Sequence, residues 1–112
     1  MESLETKTKA ELRGELTRLR DEVDKTDDSI VGLIVRRFKL CEQIACVKYW
    51  LGMSIEDNGR ESEVHTRTDT AAARNGGYDY VPTIRIIYNT IMGRAKDLQR
   101  KIIDAMKYGR RS

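Results

Sequence analysis

Only one proline, one histidine, one phenylalanine, one tryptophan and two cysteines occur in this chain of 112 residues. Breakers are so few, with Pro82 alone and Gly76-Gly77 the only paired glycines, that a fold built of many short turns is excluded. One histidine, His65, and no C-x-x-C leave no zinc-ligand spacing. Cys41 and Cys46 stand five positions apart on one predicted helix, roughly 7.5 Å along its axis and on different faces, so they cannot bridge each other. They read as reduced thiols, in keeping with the cytosol. There is no run of about 18 apolar residues to span a membrane. The N-terminal stretch M-E-S-L-E-T-K-T-K lacks the apolar segment of a secretory signal. A cytoplasmic protein with no membrane partner is the expectation. Charge of one sign is also lacking: 21 Lys and Arg are offset by 18 Asp and Glu, for a net +3. They form no aromatic-interleaved basic stripe, which argues against a nucleic-acid partner.

What is present is 39% apolar and 35% charged residues, the composition of a single domain with a modest core. The late placement of the breakers predicts three helices. The first runs from about Thr8 to Leu51 and ends at Gly52, the second from about Asp57 to Arg74, and the third from about Val81 to Lys107. Asp57 suits an N-cap and Pro82 a first turn. No strand alternation, internal repeat or low-complexity segment is visible. The fold class is all-α, with one long and two shorter helices per chain.

A first helix of about 44 residues, at ~1.5 Å per residue, is a rod of ~65 Å. A compact chain of this size has a radius of gyration near ~13 Å, so the rod overhangs its own domain. Apolar surface would stay in water unless another chain covered it, which predicts a homodimer in which the long helices pair.

The face of that helix carries an anomaly. Stepping alternately by four and three from Leu16 gives Arg20, Val23, Asp27, Ile30, Ile34, Arg37, Cys41, Ile44, Lys48 and Leu51, with Leu19, Leu33, Leu40 and Val47 widening the stripe. Arg20, Arg37 and Lys48 are therefore cations at inward positions, whereas Arg36 and Lys39 fall off the stripe as ordinary solvated charges. An unpaired buried charge costs several kcal/mol, so three of them demand anions. Protein carboxylates can supply those anions, the long side chains can snorkel to water, or an anionic ligand can bind. Arg37 and Lys48 lie three turns apart, about 16.5 Å, close enough to hold one small molecule between their tips. Arg20 lies roughly 42 Å from Lys48 on a straight helix and reaches that pocket only from a second subunit.

Two further groups stand out. Asp57, Arg60 and Glu61, at i, i+3 and i+4, share a face at the start of the second helix. They read equally as a local N-cap with a first-turn acid favoured by the helix dipole. Gln99, within Leu98-Gln-Arg-Lys, reads by itself as a surface glutamine.

Taken together, Leu19-Arg-Asp-Glu-Val-Asp24, Asp27, Ile30-Val, Leu33, Arg36-Arg37, Leu40, Ile44-Ala45, Lys48, Gly52, Ile55, Asp57-Asn-Gly-Arg-Glu61 and Gln99 resemble the all-α, type II chorismate mutases in order and nearly in spacing. The resemblance covers roughly residues 16–103, with 1–15 as an N-terminal extension and 104–112 as a basic tail. Its elements are spread over three helices. It implies an intertwined six-helix homodimer with two equivalent shared sites, and a Claisen rearrangement of the dicarboxylate chorismate to prephenate in aromatic amino-acid biosynthesis, with no metal or cofactor. It implies that Arg37 and the partner's Arg20 grip the two carboxylates and that Lys48 faces the ether oxygen and a carboxylate. Gln99 would donate to the same ether oxygen. Glu61 would accept from the ring hydroxyl, assisted by the Asp57 region and oriented by Arg60.

There are departures from the family pattern. Ala95 stands where the family often has a serine four residues before the glutamine, so one substrate-carboxylate contact is absent or passes to backbone or water. Thr26 occupies a commonly apolar position. Rival expectations are a 4-amino-4-deoxychorismate mutase, in which Glu61 receives an ammonium, an isochorismate pyruvate lyase, and a non-catalytic helical dimerisation or effector-binding module, which Ala95 favours.

Overall fold

The computed structural model describes residues 4–109. It contains a 3₁₀ turn at Leu4–Thr6, α1 (Lys9–Leu51), α2 (Asn58–Arg74), a second 3₁₀ turn at Tyr78–Tyr80, and α3 (Val81–Gly109). No strand occurs among the described residues. The end of the basic tail, residues 110–112, and the first three residues of the N-terminal extension lie outside them. The three predicted helices are present within two residues at every boundary.

The boundaries have local causes. Thr8 stands just before α1 as its cap: its Oγ1 accepts from the Glu11 backbone N–H and donates to the Glu11 carboxylate, both at 3.1 Å. At the other end Gly52 takes φ +67°, and the N–H groups of Gly52 and Met53 return to the carbonyls of Tyr49 and Lys48. That is a Schellman closure, for which glycine is the residue of least cost. Asp57 is the cap of α2 and lies just outside it, its carboxylate accepting from the Arg60 backbone N–H at 2.9 Å. The paired glycines close α2 in the same way. Gly76 adopts φ +73°, and Gly77 donates to the Ala72 carbonyl at 2.7 Å. A β-carbon on Gly77 would meet that carbonyl oxygen and the Tyr80 ring at 3.2 Å, so both positions use the absence of a side chain. Pro82 falls in the first turn of α3, where its missing N–H costs nothing. The helix then outlasts its predicted end at Lys107 by two residues. Thr26, the polar departure on α1, is exposed and donates to the Glu22 carbonyl at 2.8 Å.

The chain divides into two units between Arg37 and Phe38. In the first, α1 is exposed along the face that the heptad stepping marked as a seam: Leu16, Leu19, Val23, Ile30 and Leu33 are each close to half accessible or more. In the second, α2 packs chiefly on α3. The buried apolar residues among those described, Ala45, Val64, Ala72, Met92 and Ala95, all lie in this second unit and are mostly small. α2 and α3 are also pinned by polar contacts. The Arg85 guanidinium clasps both oxygens of Asp69, with Nε at 3.0 and 3.1 Å, and His65 Nε2 pairs with Asn89 Oδ1 at 2.8 Å.

The Asp69 carboxyl is held below its ordinary range, first by the hydrogen bond from Arg85 and then by the charge of that guanidinium. A carboxyl depressed in the folded state stabilises the fold at pH values above the ordinary aspartate range, and that contribution is lost as the pH falls through the depressed value. Asp69→Asn is therefore expected to lower the melting temperature slightly at neutral pH, the pair being partly exposed. The gap to wild type should close on acidification below the aspartate range, a trend that thermal melts at stepped pH would follow.

Candidate active site

Arg20 and Arg37 belong to the first unit, and Lys48, Asp57, Arg60, Glu61, Ala95 and Gln99 to the second. Arg20 is exposed on α1, and no ion pair or hydrogen bond engages its side chain among the described residues. Arg37 is half-buried. Arg36 and Lys39 are exposed, as their places off the stripe predicted.

Lys48 sits in the last turn of α1, half-buried, and its ammonium donates to the Ile55 carbonyl at 3.1 Å. That carbonyl belongs to the connection between α1 and α2, which turns back over the helix end because Gly52 reverses the chain. The partner is a neutral oxygen. Among the described residues no carboxylate pairs with the Lys48 ammonium.

Gln99 is buried, with 6% of its surface accessible, in the same stripe of α3 as Met92 and Ala95. Its amide nitrogen donates to the Cys41 carbonyl at 3.0 Å, across from α3 to α1. One amide hydrogen satisfies that bond and the second is still available, since the NH₂ group carries two. Ala95, one turn before Gln99, is buried and presents only a methyl group.

Glu61 lies in the first turn of α2, where the helix dipole favours an acid. Its partner is Lys96 of α3, with Nζ 2.9 Å from Oε1. Arg60, expected from the family resemblance to orient Glu61, pairs with Glu63 one turn further on at 3.1 Å, and its backbone N–H is the one that Asp57 caps. Lys96 also reaches Glu56 Oε2 at 3.4 Å, while Arg100 donates to Glu56 Oε1 at 2.9 Å and to Asp97 Oδ1 at 3.2 Å. The Lys96 ammonium is held above the usual lysine range, chiefly by its hydrogen bond to Glu61, with the charges of Glu61 and Glu56 adding to that against a desolvation cost.

Lys96, Glu56 and Arg100 were absent from the candidates drawn from the sequence. A signal was present: Lys96 and Arg100 stand at −3 and +1 from Gln99, so Lys96 shares a helix face with it. In a chain with 35% charged residues this spacing did not separate them from ordinary surface charges.

The second unit thus carries an ammonium at the end of α1, a carboxylate at the start of α2 and an amide in the middle of α3, each with its own partner. Two of the three donate to backbone oxygens and retain capacity for a ligand. No group of three or more metal-ligating side chains occurs among the described residues, and no described helix is long and apolar enough to cross a membrane. Cys41 and Cys46 are not joined by a disulfide, as their spacing predicted.

Comparison with known proteins adds one finding. The family model described as chorismate mutase type II matches residues 19–100, well over half of the chain and a span that includes every candidate residue from Arg20 to Gln99. No curated protein and no solved structure matches the chain. A match of this extent, on an all-α chain of three helices, shows that the chain belongs to the chorismate mutase type II family.

Proposed function

We propose that the chain is a chorismate mutase, acting in the cytoplasm as a homodimer with two shared sites, and that it converts chorismate to prephenate in aromatic amino-acid biosynthesis. The observation that carries this reading is the Lys48 ammonium: half-buried, held on a neutral carbonyl and matched by no carboxylate among the described residues, inside a family whose substrate is a dianion. The rearrangement is unimolecular. The ether C–O bond breaks as the enolpyruvyl methylene bonds to the ring, and negative charge builds on the departing ether oxygen. Such a reaction needs no nucleophile, metal or cofactor. It needs the extended arm held in a compact, chair-like geometry and donors aimed at that oxygen.

Lys48 and the second amide hydrogen of Gln99 are those donors. Arg37 and the partner's Arg20 hold the carboxylates through forked guanidinium contacts. Glu61 accepts from the ring hydroxyl. Ala95 offers no hydroxyl, so the contact that a serine would make there falls to backbone or water. The second chain is supported by the uncovered apolar face of α1 in the first unit. Stripes of that width on a helix are otherwise buried.

Incubation of the pure protein with chorismate, following the loss of its absorbance, tests the reading. Prephenate should form, identified by mass and by its conversion in acid. Absence of any product would overturn the proposal, and release of pyruvate would redirect it to a lyase.

Gln99→Glu supplies a prediction with a pH signature. Its carboxylate would face the Cys41 carbonyl on one side and the developing ether-oxygen charge on the other, both negative, whereas a protonated carboxyl donates to one of them. Turnover should drop at pH 7 by about tenfold or more, the scale of a lost donor. It should recover in part on acidification. A wild-type-like, flat profile would show that Gln99 does not touch the reacting oxygen.

A further inference from the structure

We propose that Lys96 sets the substrate preference of Glu61: by occupying that carboxylate with a resident ammonium, it makes the pocket accept a ring hydroxyl and reject a ring ammonium. This rests on the reading above, in which Glu61 receives the ring substituent.

The geometry begins with Lys96 Nζ at 2.9 Å from Glu61 Oε1, a pair in which both side chains are about two-thirds covered. Lys96 is not free to swing away. Its ammonium is also drawn to Glu56 Oε2 at 3.4 Å, and the other Glu56 oxygen is taken by Arg100, which Asp97 holds in turn. The result is an alternating chain, Asp97, Arg100, Glu56, Lys96, Glu61, in which α3 supplies both cations and Asp97, the α1–α2 connection supplies Glu56 and the first turn of α2 supplies Glu61. The raised proton affinity of Lys96 means that its charge persists throughout the working pH range.

Consider what Glu61 then offers a ligand. A carboxylate has two oxygens and room for several donors, so Oε2 can still accept a hydroxyl proton. With Lys96 in place the Glu61–Lys96 corner is electrically neutral, which suits a neutral donor. A substrate ammonium bound at the same carboxylate would lie across it from Nζ, within the few ångströms at which like charges disfavour each other. Without Lys96, Glu61 would present an unshared negative charge and welcome the ammonium. The amine-substrate alternative thus turns on one side chain outside the family pattern.

The test compares chorismate with its 4-amino-4-deoxy analogue on wild-type protein, Lys96→Met and Lys96→Arg at neutral pH. The readout is the ratio of kcat/KM for the two substrates on a single preparation, which is unaffected by any fraction of misfolded protein. Where the analogue binds without turnover, the ratio of its inhibition constant to the KM for chorismate replaces it, and is likewise independent of the active fraction. Wild type should favour chorismate. In Lys96→Met the ratio should fall by about tenfold or more toward the amine, the scale of one like-charge repulsion in a partly covered site. In Lys96→Arg, which keeps the charge, the ratio should stay near wild type. A ratio unchanged in Lys96→Met, or shifted equally in Lys96→Arg, would overturn the role of Lys96. Wild-type protein inert toward both compounds would instead remove the chorismate mutase reading and this inference with it, a distinct outcome.

Discussion

Lys48→Ala is expected to abolish measurable turnover of chorismate and to leave the helical circular dichroism intact. Two magnitudes decide between this outcome and a structural collapse. As a structural element the Lys48 side chain makes one hydrogen bond to a neutral carbonyl in a largely exposed connection, and a bond of that kind is worth about 1 kcal/mol net. The reversal at Gly52 that shapes the helix end runs through backbone groups, including the Lys48 carbonyl itself, and survives the substitution. Placed against a developing oxyanion, the same ammonium is worth a few kcal/mol, or about 10²–10³ in rate. The variant should therefore melt close to the wild-type temperature while its rate falls below detection. A variant that melted many degrees lower and kept its activity would identify Lys48 as a structural bridge, and the proposed mechanism would lose its main donor.

Much of this architecture was legible because its determinants are local. Asp57 caps α2 through an N–H three residues on, Gly52 and Gly76 supply the two positive φ values that close helices, and Pro82 needs only a first turn. Each acts within one turn of chain, which is the range over which a single sequence constrains structure. The long-range parts were less accessible. Glu61 meets Lys96 across 35 positions and two helices, and helical periodicity says which residues share a face without saying which faces meet. Arg60 shows the converse: its acid partner is Glu63 at i+3, a local pairing that a helix surface favours, whereas Glu61 as its immediate neighbour does not face it.

Gln99 could have been flagged from the chain alone. It continues the spacing of Met92 and Ala95 on α3, and a polar side chain in an otherwise buried stripe needs a partner, which proves to be the Cys41 carbonyl. The seam of α1 is the opposite case. Its stripe is plain in the sequence, yet only Ala45 of that helix is buried. The sequence records a face that one chain does not cover, and the cations at Arg20, Arg37 and Lys48 belong to that face.

That face leads to the second large effect. Twenty-eight positions of helical sequence separate Arg20 from Lys48, so under the proposed assembly each pocket combines Lys48 of one chain with Arg20 of the other. Arg20→Ala and Lys48→Ala homodimers should each be nearly inactive, since in either one both pockets carry a lesion. Arg20 is exposed and engages no partner among the described residues, so its removal has little to disturb in the fold.

The measurement that bears most directly on the shared site is the mixing of these two inactive proteins, by unfolding and refolding them together in equal amounts. In a heterodimer one pocket inherits both lesions and the other inherits neither. Random assembly of a two-fold dimer makes about half of the dimers hetero, each with one intact site of two, so roughly a quarter of wild-type activity should return. Activity that stays at the level of the separate variants, with heterodimers verified by mass, would contradict the account. Arg20 would then serve its own chain's pocket or none, and a site shared between two long helices would have to be given up.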